Sequence, residues 1–177
     1  MRITSAEKLL SHWKRQGLAL AKGNAETTLI DFEARNSLRL PPDMRQYLSV
    51  ANGMPSIPGS YVDPNGFRFW PLEHIRPVPT VCAEAGVPSP AVKDSERYFV
   101  FADYFDWSWA YAIDLGRSDS GSQPIIHVGT LEPKTVAHSF TEFVDLYIQD
   151  SRELHVLADD HQKVLLVTVT PNPSVPT

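Results

Sequence analysis

The chain is poor in the features that announce most chemistries. Cysteine occurs once in 177 residues, at Cys82, which excludes an internal disulfide framework and any cysteine-rich zinc site. A phosphate-cradling glycine loop, a G-x-S-x-G elbow and an H-E-x-x-H pair are all missing, and three large enzyme classes lose their signatures with them. No apolar run is long enough to span a membrane, and Met1-Arg2-Ile3-Thr4-Ser5-Ala6-Glu7-Lys8 turns polar too soon for the core of a signal peptide. A cytoplasmic protein with no membrane partner is expected. Positive charge is in deficit, with 16 Lys and Arg against 21 Asp and Glu for a net charge of −5. The basic residues are scattered, so nucleic acid is not the expected ligand. An acidic surface attracts basic partners, although a charge of this size is ordinary for a cytoplasmic protein.

What is present is a well-punctuated set of helices and strands. Thr4-x-x-Glu7 has the form of a capping box, and Ala6, Leu9, Leu10 and Trp13 then follow helical spacing as far as Gly17. A second helical run covers about Glu26 to Ser37. Pro41 and Pro42 suit the first turn of a third helix, Asp43 complements its dipole, and Met44, Tyr47, Leu48 and Ala51 form its buried stripe, with Gly53 placed to stop it. Ser139-x-x-Glu142 opens a last helix whose stripe is Phe140, Phe143, Val144, Tyr147 and Leu154. His12 is expected on the exposed face of the first helix.

Between these helices the pattern alternates. Asn65-Gly66 marks a tight turn feeding a strand over Phe67 to Leu72, and further strands are read at Arg97 to Ala102, Trp109 to Asp114 and Pro124 to Val128, forming an antiparallel meander. In the Trp109 to Asp114 strand the period of two predicts one packed and one less covered face. Pro77 to Glu96 holds four prolines and reads as a long loop. Gly116 to Ser122 reads as an exposed loop, and Pro55 to Ser60 is dense in glycine and proline. Val164 to Val169 reads as a strand or an adhesive arm ahead of a disordered tail, Pro171 to Thr177. The expectation is α+β: a single domain over residues 1–158, with an antiparallel mixed sheet of about four to six strands covered on one face by the N-terminal and C-terminal helices, then a C-terminal arm and tail over 159–177.

The chemistry-bearing side chains form no recognised constellation. His155 and His161, with Asp159 and Asp160, fit no common metal spacing. Cys82 reads as a small apolar residue. Asp103, Asp106 and Asp114 are explained as turn residues more simply than as acid and base. No metal and no cofactor are expected. One segment stands apart: Asp103-Tyr104-Phe105-Asp106-Trp107-Ser108-Trp109 interleaves four aromatics with two acids at a hairpin tip. Such a tip brings rigid contact area and a negative flank to a protein partner, although Trp109 and Phe105 also have the character of core residues.

The order of motifs is informative. Leu40-Pro41-x-x-Met44-Arg45-x-Tyr47-Leu48 closing on Asn52-Gly53, then Trp70-Pro71-Leu72 ending an aromatic strand, then the acidic aromatic hairpin, resembles the SUKH superfamily and its SMI/KNR-like branch, from about Leu29 to Tyr147. The resemblance implies a non-catalytic protein-binding domain, foremost an immunity protein that neutralises a polymorphic toxin of nuclease or deaminase type. On that footing Asp103, Tyr104, Phe105, Asp106 and Trp107, with Asp114 and Asp119 nearby, would face the toxin as a partial mimic of nucleic acid. A scaffold or regulator of the cell-wall-synthesis type is the alternative, and an enzyme built on His127, His138 and the carboxylates comes third. The chain departs from the family pattern where a glycine usually lies near the acidic turn; here the run is Tyr104-Phe105-Asp106-Trp107.

Overall fold

The computed structural model describes residues 3–54, 63–105, 107–116, 122–129 and 133–155. The N-terminal third is helical, as its spacing requires. Helix α1 (Ser5–Arg15) starts at a complete capping box, with Thr4 and Glu7 each satisfying the other's backbone N–H. Helix α2 (Glu26–Asn36) is followed by α3 (Pro42–Val50), whose stripe of Met44, Tyr47, Leu48 and the adjoining Ala51 is buried. Gly53 does not stop α3. The helix ends at Val50 because Ala51 turns extended and bridges to Lys22. Gly53, at φ +69°, is needed for a different reason: a Cβ there would lie 2.6 Å from the Trp70–Pro71 backbone.

A six-stranded antiparallel sheet follows, in the order β1–β3–β4–β5–β6, with β2 also paired to β3. Its strands are β1 (Phe67–Phe69), β2 (Arg76–Pro77), β3 (Tyr98–Tyr104), β4 (Trp109–Asp114), β5 (Ile125–Val128) and β6 (Thr135–Ala137). The meander is as expected. β1 is shorter than its aromatic run because the chain turns at Pro71 into a 3₁₀ turn over Leu72–His74. β2 and β6 were not anticipated.

The stretch expected as a loop contains helix α4 (Val78–Ala85). Its prolines mark the helix start, Pro79 falling in the first turn where the missing N–H costs nothing, and Gly86 ends it at φ +67°. Helices α1, α2, α3 and α5 (Phe140–Ile148) bury one face of the sheet beneath Leu9, Trp13, Phe32, Met44, Phe140 and Phe143. The other face is closed as well: Val78, Val81 and Cys82 of α4 cover Val100, Ala112 and Ile126, so every β4 residue from Ala110 to Asp114 is buried. Ser139 caps α5 through Glu142 N–H, while the Glu142 carboxylate takes the His138 N–H in place of the cap's own. The arm at Val164 to Val169, the tail, and the segment Pro55 to Ser60 lie outside the described residues.

Candidate protein-binding site

The hairpin between β3 and β4 turns over four residues, from Tyr104 to its partner Trp109. Ser108 N–H reaches back to Tyr104 O at 2.9 Å to close it. Phe105 sits at φ +42° and Trp107 at φ +79°, the left-handed region that suits glycine. Holding two aromatic residues there costs on the order of 1 kcal/mol each.

The surroundings impose this conformation. Asp103 is fully buried; its Oδ1 accepts the Trp107 N–H at 3.3 Å, and its Oδ2 accepts Arg68 Nε–H at 2.8 Å and the Trp70 indole N–H. Arg68 lies directly across the β1–β3 register from Asp103. On the other side Phe105 N–H donates to Gly66 O at 2.8 Å, and the Phe105 ring lies so close over Gly66 that a Cβ there would come within 2.7 Å of it.

The four aromatics go to three places. Tyr104 stacks on Trp109 at 4.2 Å, both half-buried against the helical face, and burial, with Asp150 and Asp63 adding to it, raises the Tyr104 hydroxyl pKa. Trp109 donates its indole N–H to the Tyr111 hydroxyl at 2.8 Å. Trp107 packs on the α4 side of the sheet, 5.4 Å from Trp70. Phe105 alone projects, 56% exposed.

Of the four acids expected to face a partner, the two among the described residues are buried. Asp103 is turned inward, and Asp114 is buried at the opposite end of β4, roughly 17 Å of strand from the tip. There it pairs with Arg97 at 3.4 Å and accepts Gly116 N–H at 3.0 Å. Neither carboxylate is open to a partner. Asp106 and Asp119 lie outside the described residues. Arg68 and Gly66, which brace the tip, were missed, because the register that sets Arg68 across from Asp103 appears only in the folded sheet.

The remaining candidates take structural positions. His12 is half-buried rather than exposed, its ring edge-on to Tyr147 at 5.3 Å, and its buried Nε2 has no hydrogen-bond partner. Burial, and then Arg15, lower its pKa against an opposing pull from Asp63. His127 is buried against Trp109 and Tyr111, whereas His138 is exposed ahead of α5. Burial raises the Cys82 thiol pKa. His155 pairs with Asp150 at 3.3 Å; Asp159, Asp160 and His161 lie outside the described residues. Among the described residues no three His, Cys, Asp or Glu side chains group as a metal site, and no helix is long and apolar enough to cross a membrane. Two surface grooves, about 580 Å³ between α1 and α5 and about 800 Å³ beside α2 and α3, lie away from the hairpin.

Helix α3 followed by Asn52-Gly53, the strand running into Trp70-Pro71 and the braced hairpin have the order and α+β arrangement of a SUKH-type domain. The SMI1 / KNR4 family (SUKH-1) model matches residues 23–146, and the chain belongs to that family. The match makes it, in general terms, a domain of the protein-interaction and immunity type. No curated protein matches the chain.

Proposed function

We propose that the chain is a non-catalytic immunity-type protein that binds a toxin domain of nuclease or deaminase type and blocks its active site, using the β3–β4 hairpin as contact surface. The observation that carries this reading is the family match over residues 23–146. Support for the place comes from the tip, where one aromatic is exposed on a turn held from both sides by Asp103 and Gly66. Binding needs no chemistry from the domain, only a surface that reaches the partner before its substrate does. The net charge of −5 favours encounter with a basic protein such as a nuclease.

The test is affinity capture of the tagged protein from its native cells, with mass spectrometry of what survives a salt wash. Recovery of a stoichiometric toxin fragment is the expected result. Recovery of cell-envelope or regulatory proteins would replace this reading with the scaffold one, and a chain that retains nothing above the untagged control would overturn both.

A further inference from the structure

We infer that Phe105 is the anchor of this interface, entering an apolar pocket on a net-basic protein; the inference rests on the binding function proposed above. Tyr104 and Trp109 stack on one another and Trp107 lies with Trp70 on the α4 side of the sheet, whereas Phe105, although its ring meets Tyr104 edge-on at 4.7 Å and lies over Gly66, keeps 56% of its surface exposed. Phe105 is the one aromatic among the exposed large apolar side chains of the described residues.

Its backbone conformation is expensive for a residue with a Cβ. Glycine at φ +42° would satisfy the same turn without strain. The turn is nonetheless held in place, by the Asp103 carboxylate on Trp107 N–H and by Phe105 N–H on Gly66 O. The outcome is a rigid aromatic knob whose immobilisation on binding costs little, because the fold has already ordered it. Buried aromatic anchors of this kind dominate the affinity of protein interfaces.

Charge and contact are divided between different parts of the molecule. The Asp103 carboxylate is fully buried and paired with Arg68, so it is closed to the partner, while the net charge of −5 acts at long range. Salt is then expected to slow association with a basic partner and to leave dissociation from the apolar pocket little changed.

The test places a photoreactive group in the full chain, as Phe105→p-benzoylphenylalanine and, for comparison, Ile30→p-benzoylphenylalanine on α2, where Ile30 is 50% exposed. Both are irradiated in native cells and the joined peptides sequenced. We expect position 105 to capture one protein at apolar side chains, and position 30 not to. With that protein purified, Phe105→Gly and Phe105→Asn should each raise Kd about 30-fold, while Tm stays within about 2 °C of the parent. Both variants tolerate a left-handed φ, so loss of folding does not mimic loss of binding. Capture from position 30 alone would overturn the anchor and leave the binding function standing; capture from neither would overturn the anchor, and joined to a pull-down that retains nothing it would overturn the binding function as well. Unchanged affinity in the Gly and Asn variants, or a dissociation rate that climbs with salt as steeply as association falls, would also overturn the anchor.

Discussion

On the side of α1, α3 and α5 the sheet presents Phe67, Phe69, Phe101 and Tyr111, and the helices answer with Trp13, Tyr47, Phe140, Phe143 and Tyr147. On the side of α4 it presents Val100, Ala110, Ala112, Ile126 and Val128, answered by Val78, Val81 and Cys82. The first face is built from rings meeting edge to face, such as Phe69 on Tyr147 at 4.9 Å and Phe101 on Phe143 at 5.0 Å. The second uses small side chains, so that a helix of 8 residues lies close and seals it. The difference separates two tasks. The ring-built face carries most of the buried apolar area and hence most of the stability. The thin face is completed toward the hairpin by Trp107 and Trp70, while Tyr104 and Trp109 tie the same hairpin to the ring-built face.

Breaking the thick face should cost most. Trp13 is fully buried, 5.1 Å from Phe69, and donates its indole N–H to Tyr147 at 2.9 Å. Trp13→Ala should therefore lower unfolding free energy by about 4 kcal/mol in urea titration. A loss under about 2 kcal/mol would deny the thick face its primacy. Asp103→Ala comes next, at about 3 kcal/mol, since it removes the buried acceptor of the Trp70 and Trp107 N–H groups and takes a charge partner from Arg68. Val81→Ala on the thin face should cost only about 2 kcal/mol, from two lost methylene equivalents. If Val81→Ala equals Trp13→Ala, the two faces are not unequal in the way described.

The smallest expected effect is a pH slope, and it again belongs to the thick face. His12 is held below its ordinary pKa of 6.5, first by burial. The unfolded chain then binds more protons than the folded one, so stability is full above about pH 6.5 and falls as pH drops through the window below it. His12→Phe keeps a ring against Tyr147 and removes the titration; its urea midpoint should change less between pH 7 and pH 5 than the parent's. An identical slope in both proteins would remove His12 as the source.

Much of this architecture could be read along the chain because its signals were local. The Thr4 and Glu7 box, the Met44 to Ala51 stripe and the alternation of Trp109, Tyr111 and Ile113 each specify an element within a dozen residues. Helix α4 escaped because Pro77 and Pro79, which serve to start it, look the same in sequence as prolines that interrupt. β6 spans 3 residues and β2 only 2, too short for any period to appear. The hairpin itself was legible, but its division of labour was not. That Asp103 turns inward depends on Arg68 lying across from it in β1, a register that only the folded sheet supplies. The conformation of the tip was not legible either: Phe105 and Trp107 both take the left-handed region that glycine favours, and they are braced from both sides.

The central claim is that this domain meets its partner through the hairpin. Amide hydrogen exchange of the full chain, alone and saturated with the protein it captures, tests this most directly. The account predicts new protection concentrated at residues 104–109 and the adjoining Gly66 turn, with α1 and α2 unchanged. Protection confined to the grooves beside α1 and α5 or α2 and α3, with the hairpin exchanging as before, would contradict it.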